Sequence, residues 1–534
     1  MTRAVLLGLA AGLLAGNAMA QVMTAGGLVK GTTSVDGKVR IFMGIPYAAP
    51  PVGELRWRPP QPAAPWAGVR GAANAGPACM QGQMFGDISF DQKSEDCLTL
   101  NIYGPAGAQS GRLPVMVWIH GGGFQAGGGP EPRHDGQAFA RKGVVLVTFN
   151  YRLGVFGFLA HRELTEETAR QVSGNYGMLD QVAALRWVQE NIAAFGGDPG
   201  NVTIFGESAG SFAVSGLMAS PLARGLFHKA IGESGAFFSA GGGTLSLAPL
   251  GDAEKAGARF VESTGAASIA ALRAKPAQEV LDAAQKTRQF FAPIVDGDFL
   301  PSDAYAIYAA GQQHHVPLLA GWNADEMRAA VTLRPQKPTA QSFAEDTRKR
   351  FGAHADAILK AYPAVTDAEA LESAAALGSD MFIGYATWKW IELHGATGGA
   401  PVYRYSFDRK IPVPPDNKVN GVPATSADIG ARHAGEIEYV FGTLDRSLPK
   451  VPWEAADRAL SDAMTAYWAN FARTGDPNGP GLPKWPRYSA SDRRVLHLDA
   501  TIKDAGDAMR PRYEAIDAFV TSQSGRQSTG RQAP

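Results

Sequence analysis

The sequence predicts an α/β protein in which helices cover both faces of a central, mostly parallel β-sheet. Two observations support this fold class. Short apolar runs rich in β-branched residues, typical of strands buried on both faces, alternate along the chain with segments of helical periodicity. In addition, 45% of the 534 residues are hydrophobic and 19% are charged, a composition typical of a globular protein with a large core.

The predicted strands are apolar runs of the length expected for a buried sheet. "LPVMVWI" and "GVVLVTFNY" are the first two, and both are almost continuously apolar. Because strand-like and helix-like segments follow one another in order, we expect neighbouring strands to be parallel. The predicted strands span residues 113–119, 143–151, 201–206, 229–235, 316–323, 401–408 and 493–500.

The predicted helices lie between and after these strands. Residues 178–195 place apolar side chains on one side of a helix, and so do residues 457–474, which precede Gly475, a residue typical of helix ends. Two segments rich in helix-forming residues, 239–313 and 339–395, are predicted to be helical excursions over the sheet. The sequence contains no internal repeat and no dividing linker, so residues 21–520 are predicted to form a single domain.

The two ends of the chain differ from this body. Residues 1–20 contain Arg3, an apolar run and the small-residue site Ala18-Met19-Ala20, which are the parts of a secretory signal peptide in the correct order. The apolar run is too short to span a bilayer. A buried N-terminal helix is the alternative to a signal peptide. We therefore expect an exported protein, periplasmic or secreted, with no membrane span. The polar residues 521–534 are predicted to form a disordered tail.

The charge balance argues against a nucleic-acid partner. Lys and Arg number 50, as do Asp and Glu, so the formal net charge is zero at pH 7. Proteins that bind nucleic acid usually show a basic excess or a basic stripe, and this sequence shows neither.

The chain contains two cysteines, Cys79 and Cys97. Because an exported protein matures where disulfides persist, we expect these two residues to be bonded, which would stabilise the fold by roughly 3 kcal/mol. Two buried thiols are the alternative. The sequence has no further cysteines that could form a thiolate zinc site, and we expect no metal or organic cofactor.

Ser208 is the first candidate for a catalytic residue. It lies in "GESAG" between a predicted strand and a predicted helix, where a nucleophile elbow would have to be. The pattern is weak by itself, because 63 of the 534 residues are glycine. Gly206 and Gly210 fit the context, since a Cβ at either position would collide with the neighbouring strand or helix. The turn would present the serine hydroxyl at the edge of the sheet, beside the positive end of the helix.

A glycine cluster, "HGGGF", follows another predicted strand. Backbone N–H groups of such a cluster can approach a substrate oxygen closely and stabilise an oxyanion. A flexible loop is the alternative, and so is a phosphate-binding loop, although the Gly-Lys-Ser/Thr ending of that motif is missing.

A serine nucleophile also needs a base and an acid that orients the base. Asp325 and Glu326 both follow the predicted strand 316–323, and the chemistry of the residues alone does not choose between them. If the base follows the acid along the chain, four histidines are eligible, and His497 alternates within a strand and is more typical of a structural residue. The eligible histidines are His354, His394, His433 and His497.

The order of several motifs resembles the type-B carboxylesterase family of α/β-hydrolases, which includes the cholinesterases. These motifs extend over nearly all of the chain that follows the predicted signal peptide, which makes the resemblance highly specific. They are "FMGIPYAAPPVGELRWRPPQ", "EDCLTLNIYGP", "HGGGF", "FNYRLGVFGFL", "GNYGMLDQVAALRWVQENIAAFGGDPGNVTIFGESAG", "GWNADE" and "GARHAGEIEYVFG".

The resemblance implies an α/β-hydrolase fold and an ester-hydrolysing site without a cofactor. It implies that Ser208 is the nucleophile, Glu326 the acid and His433 the base. Glu207 and Ser234 are predicted to support the elbow, with ordinary buried polar residues as the alternative. The resemblance also implies oxyanion donors at Gly122, Gly123 and Ala209, and a disulfide between Cys79 and Cys97.

The sequence departs from the family pattern at two places. Met327 follows the acid where many relatives have glycine, and the loop between the cysteines contains no tryptophan that could bind a quaternary ammonium. We therefore predict a serine carboxylic-ester hydrolase acting on a small-molecule ester. The alternatives are an inactive binding or adhesion protein of the same fold and an amidase or peptidase that uses the same three residues.

Overall fold

The computed structural model describes residues 21–82, 88, 90–107, 112–238 and 246–529, and for residues 524–529 it describes the backbone only. Residues 1–20, on which the predicted signal peptide falls, lie outside the described residues, as do residues 530–534 of the predicted tail.

A sheet of eleven strands forms the centre of the described chain. Its strands are β1 (Thr32–Thr33), β2 (Val39–Pro46), β3 (Thr99–Pro105), β4 (Leu113–Ile119), β5 (Val145–Phe149), β6 (Gly197–Glu207), β7 (Lys229–Glu233), β8 (Leu318–Asn323), β9 (Val402–Phe407), β10 (Arg494–Leu498) and β11 (Lys503–Gly506). Their order across the sheet is β11-β10-β9-β8-β7-β6-β4-β5-β3-β2-β1. The neighbours from β10 to β5 in this order are parallel, and β1, β2, β3 and β11 pair antiparallel at the two sides. The predicted mostly parallel, mixed sheet is confirmed.

Each predicted strand overlaps one of the parallel strands β4 to β10. The prediction for β4 matches its observed bounds, whereas β6 begins at Gly197, four residues before the predicted start. The antiparallel strands β1, β2, β3 and β11 were not predicted.

Helices cover the sheet and extend beyond it. The longer ones are α1 (Tyr176–Asn191), α2 (Ala209–Ala219), α3 (Leu250–Ser263), α4 (Ala277–Thr287), α5 (Ala340–Phe351), α6 (Asp367–Ser379), α7 (Tyr385–Thr397), α8 (Ala455–Thr474) and α9 (Arg510–Thr529). Short helices span Gln137–Arg141, Gly154–Phe158, Arg162–Glu166, Ile269–Arg273, Ala304–Ala309, Arg328–Thr332, Ala355–Ala361, Ser426–Ile429, Ile437–Phe441 and Leu444–Ser447. None of the helices in the described residues combines the length and apolar character that a bilayer crossing requires.

The predicted helices are present, with changes at their ends. Helix α1 ends at Asn191 and continues as a 3₁₀ turn, Ile192–Phe195. Helix α8 ends at Thr474, and Gly475 caps it in the left-handed conformation, with φ of 79°. The two predicted excursions contain α3 to α6 and most of α7, which ends at Thr397. Helix α9 runs to Thr529, so it extends past the predicted start of the tail at residue 521.

Alternate side chains of the strands pack into two apolar cores, one on each face of the sheet. Along β4, Val115 and Val117 belong to one core, whereas Met116 and Trp118 belong to the other. This alternation follows from the two-residue period of a strand and explains why the central strands are apolar on both faces. Cys79 and Cys97 are bonded in a disulfide, as the sequence predicts.

Candidate active site

Ser208 lies at a sharp turn between β6 and α2. Its backbone φ of 53° and ψ of −123° lie in a region that residues other than glycine rarely adopt. The N–H of Ser208 donates to the carbonyl of Glu233 at 2.9 Å, and the N–H of Phe212 donates to the carbonyl of Ser208 at 2.9 Å. Strand β7 and the first turn of α2 therefore fix the strained conformation.

The two glycines that flank Ser208 leave room for this turn. A Cβ on Gly206 would lie 2.6 Å from the carbonyl oxygen of Ile119 and 2.6 Å from the carbonyl carbon of Gly210. A Cβ on Gly210 would overlap the same oxygen of Ile119. The spacing of glycines around Ser208 is thus a packing requirement at the end of β4, as the sequence predicts.

The structure brings three predicted site residues together at the carboxyl ends of the strands. The Nε2 of His433 lies 2.9 Å from the Oγ of Ser208, and the Nδ1 of His433 lies 2.6 Å from the Oε2 of Glu326. Both are hydrogen-bond distances. Ser208 follows β6 and Glu326 follows β8, whereas His433 lies in the segment between β9 and α8.

The adjacent carboxylates Asp325 and Glu326 have different partners. The Oε1 of Glu326 accepts the N–H of Asn323 at 2.9 Å, so both of its oxygens are engaged when His433 is counted. Asp325 instead accepts the N–H of Ala431 at 3.0 Å and donates its own N–H to the carbonyl of Ala431 at 3.1 Å. Glu326 therefore contacts the imidazole, and Asp325 holds the backbone two residues before it.

The other eligible histidines lie elsewhere. His394 is buried and contacts the carbonyl of Val316 at 2.9 Å through Nε2. The Nδ1 of His497 lies 2.6 Å from Asp408, and the ring of His354 packs against Phe519.

The glycine loop after β4 lies against Ser208. A Cβ on Gly121 would lie 3.2 Å from the Cβ of Ser208. Gly122 and Gly123 have φ values of 97° and 63°, and among the described residues neither donates its N–H to an acceptor. Unused N–H groups beside a hydroxyl are what an oxyanion hole requires.

The disulfide-linked segment braces this loop. The side chain of Gln81 accepts the N–H of Gly127 at 2.8 Å and donates to its carbonyl at 2.9 Å. Gln81 lies two residues after Cys79, so the disulfide and the glycine loop are joined through one buried amide.

A second carboxylate, Glu207, lies close to the imidazole. Its Oε1 is 3.3 Å from the Nε2 of His433, and burial raises the pKa of Glu207 to about 7. Burial by itself lowers the pKa of His433, but the carboxylates of Glu207 and Glu326 outweigh it and raise that pKa to about 9. The site therefore favours a positive charge on the imidazole.

The sequence did not identify two further buried carboxyl groups of the site, those of Glu233 and Glu436. The Oε2 of Glu436 accepts the side-chain N–H of Asn323 at 2.5 Å, and Glu233 accepts the indole N–H of Trp468 at 2.8 Å. Burial and the carboxylates of Glu207 and Glu326 raise the pKa of Glu436 to about 8, and burial raises that of Glu233. The one signal in the sequence is the position of Glu436, three residues after His433.

Ser208 and His433 line a cavity of about 210 Å³. Phe382 lies beside His433, with the two ring centroids 5.1 Å apart and 40% of Phe382 exposed. Among the described residues, no group of three or more His, Cys, Asp or Glu side chains is arranged to hold a metal ion. The cavity is lined by Ile88, Gly121, Gly122, Glu131, Arg133, His134, Glu207, Ser208, Arg432, His433, Ala434 and Ile437.

The sheet order, the turn at Ser208 and the position of the site define the class as an α/β-hydrolase. The sequence model of the carboxylesterase family matches residues 18–515. Fumonisin B1 esterase from Sphingopyxis macrogoltabida is 39% identical over 490 residues, which cover 87% of this chain and 84% of that protein. Liver carboxylesterase from Sus scrofa is 38% identical over 531 residues, which cover 88% of each protein.

A solved structure agrees with these sequence relatives. The crystal structure of a carboxylesterase from Geobacillus stearothermophilus is similar with a TM-score of 0.80 at 34% identity, covering 93% of this chain and 99% of that one. The chain belongs to the carboxylesterase family, and it is an enzyme that hydrolyses carboxylic esters. The predicted fold and enzyme class are confirmed.

Proposed function

We propose that Ser208, His433 and Glu326 hydrolyse carboxylic esters through an acyl-enzyme intermediate. The observation that carries this proposal is the continuous hydrogen-bonded chain from the Oγ of Ser208 through His433 to Glu326. A hydroxyl, an imidazole and a carboxylate in this order form the arrangement that activates a serine nucleophile.

In the first half of the reaction, Nε2 of His433 accepts the proton of Ser208 as Oγ attacks the ester carbonyl. The N–H groups of Gly122, Gly123 and Ala209 donate to the oxyanion that forms, and each such donor contributes roughly 2.7–4 kcal/mol to the stability of the transition state. His433 then gives its proton to the departing alcohol. Glu326 holds Nδ1–H throughout, which fixes the tautomer that leaves Nε2 free.

In the second half, a water molecule replaces the alcohol. His433 accepts a proton from this water, which attacks the acyl-enzyme carbonyl, and returns the proton to Oγ as the acid leaves. Glu207 stabilises the imidazolium of both halves, because its carboxylate lies 3.3 Å from Nε2.

Replacing the hydroxyl tests the proposal. We expect Ser208→Ala to lower kcat for a 4-nitrophenyl ester by about 10⁶-fold, leaving binding and the oxyanion donors intact. Ser489→Ala, at an exposed serine on a turn, is the matched control. Equal rates for Ser208→Ala and the unsubstituted enzyme would remove Ser208 from the mechanism.

The amidase alternative requires a separate comparison. An anilide and a phenyl ester of the same acyl group should differ strongly in kcat/KM, with the ester faster. Marked preference for the anilide would identify an amidase or peptidase.

We also propose that residues 1–20 are a signal peptide and that the mature, exported chain begins near Gln21. N-terminal sequencing of the protein from a periplasmic or secreted fraction tests this. A mature chain that retains Met1 would contradict it.

A further inference from the structure

We propose that the catalytic cavity accepts esters that carry a carboxylate of their own, and that the guanidinium of Arg432 binds this carboxylate. The inference rests on the proposed function of Ser208, and it adds a substrate class that neither the fold nor the family defines.

Arg432 is placed beside the reacting groups. It immediately precedes His433 and lines the same cavity as Ser208. The residue is half-buried, and its Nη1 donates to the carbonyl of His433 at 3.3 Å. In the described part of the chain it forms no ion pair with a carboxylate. A guanidinium has five N–H donors, so most of its hydrogen-bonding capacity is not used by the protein.

Two carboxylates that line a cavity together with Arg432 have other partners. Asp325 and Glu326 line a neighbouring cavity together with Arg432. However, Asp325 accepts the N–H of Ala431 and lies 3.7 Å from Arg328, and Glu326 accepts from His433. The positive charge of Arg432 is therefore not matched by these two groups.

The remaining charged groups of the catalytic cavity form pairs of their own. The Nε of Arg133 donates to Glu131 at 3.0 Å, and the other oxygen of Glu131 accepts the N–H of Gly128 at 3.0 Å. Glu207 faces His433, with its Oε1 3.3 Å from Nε2. Of the two arginines that line this cavity, Arg133 is paired with Glu131, and Arg432 is available to an anionic ligand.

The chemistry of the guanidinium identifies the ligand. A partly desolvated Arg gains most from a planar anion that accepts two N–H bonds at once, and a carboxylate has this geometry. The carboxylate could belong to the acyl group or to the alcohol of the ester. Both have the same interaction with Arg432, and the experiment separates them.

Two pairs of esters test the proposal. The acyl-side pair is mono-4-nitrophenyl glutarate and its methyl ester, and the alcohol-side pair is 4-acetoxybenzoate and its methyl ester, with phenol release as the signal. Within each pair the intended difference is the charge. We expect Arg432→Gln to lower the charged-to-neutral ratio of kcat/KM about tenfold or more in at least one pair.

Three comparisons separate binding from a structural effect. A general disturbance of His433 would lower kcat/KM for both members of a pair equally and leave the ratio unchanged. Arg432→Lys should keep part of the ratio because the charge remains, and rising NaCl concentration should lower the ratio in the unsubstituted enzyme. Arg224→Gln, at an exposed arginine beyond the far end of α2, should leave the ratio unchanged.

An unchanged ratio in Arg432→Gln for both pairs would overturn the proposal while leaving the hydrolytic role of Ser208 intact. Failure of that role has a different signature, because Ser208→Ala would then hydrolyse the neutral esters as fast as the unsubstituted enzyme.

Discussion

Two histidines line the catalytic cavity, each near a buried glutamate, and their environments differ. His433 contacts Glu326 at 2.6 Å and Glu207 at 3.3 Å, and these carboxylates raise its pKa to about 9 against the effect of burial. His134 is buried between Trp118 and Phe441, and burial lowers its pKa to about 3.

The difference lies in how the glutamates use their oxygens. Glu131, near His134, accepts from Arg133 and from the N–H of Gly128, so its charge is already matched. Glu326 accepts from one backbone N–H and from the imidazole itself. A histidine near a carboxylate is thus a candidate base only when the carboxylate is bonded to the imidazole and the imidazole reaches a hydroxyl.

Replacing each histidine in turn tests this comparison, and we expect the largest loss of activity at His433. We expect His433→Gln to lower kcat by about 10⁶-fold, because Ser208 loses its base. His134→Gln should lower the free energy of unfolding by about 1–3 kcal/mol through its lost contact with Gly128, with a far smaller effect on kcat. Ester hydrolysis and thermal unfolding measure the two effects. Comparable losses of kcat would show that the two histidines do not differ as described.

The two glutamates should differ in the same direction. Glu326→Gln should lower kcat by about 10⁴-fold, since an amide no longer selects the tautomer of His433 that accepts a proton at Nε2. Glu131→Gln should mainly lower stability, because the ion pair between Glu131 and Arg133 is lost. Steady-state kinetics on a neutral ester, with melting temperatures of both variants, measures this. A larger kinetic effect at Glu131 would contradict the assignment of the acid.

The pH profile would sharpen the account of His433. The base must be neutral to accept the proton of Ser208, so kcat/KM should fall as the pH drops through the raised pKa of His433 in the free enzyme. Glu207→Gln removes one of the charges that raise this pKa, so the acid limb of the profile should move to lower pH. Glu514→Gln, on the surface, is the control. An acid limb that does not move would show that Glu207 has no electrostatic effect on the imidazole.

The disulfide is expected to have the smallest effect on chemistry. Replacing Cys79 and Cys97 together by alanine should lower the free energy of unfolding by about 3 kcal/mol. Cys79 lies two residues before Gln81, which braces Gly127, and neither cysteine lines the catalytic cavity. We therefore expect a lower melting temperature with most of kcat retained. An unchanged melting temperature would contradict a stabilising role.

The central strands could be predicted from the sequence, and the outer ones could not. Strands β4 and β5 lie between two apolar cores, so their sequences are nearly continuous apolar runs. Strand β2 has the sequence "VRIFMGIP", of which Val39, Phe42 and Ile45 are buried. Val39 and Phe42 pack in opposite cores, as their spacing in a regular strand requires, whereas Phe42 and Ile45 pack in the same core because the register is irregular between them.

The site shows a similar division. Ser208 could be found because a strand, two glycines and a helix must meet there. The choice between Asp325 and Glu326 depends on which side chain turns toward His433, and that is set by contacts with Asn323 and Ala431 across the fold. The sequence did not identify Arg432 as a site residue, because a charged residue next to a histidine is common. Only the structure shows that both residues line one cavity.

Covalent labelling with a fluorophosphonate, followed by peptide mapping by mass spectrometry, tests directly whether Ser208 is the nucleophile. We expect one adduct, on the Oγ of Ser208, with labelling lost in Ser208→Ala and strongly slowed in His433→Gln. An adduct on another serine, or equal labelling of Ser208→Ala, would contradict it.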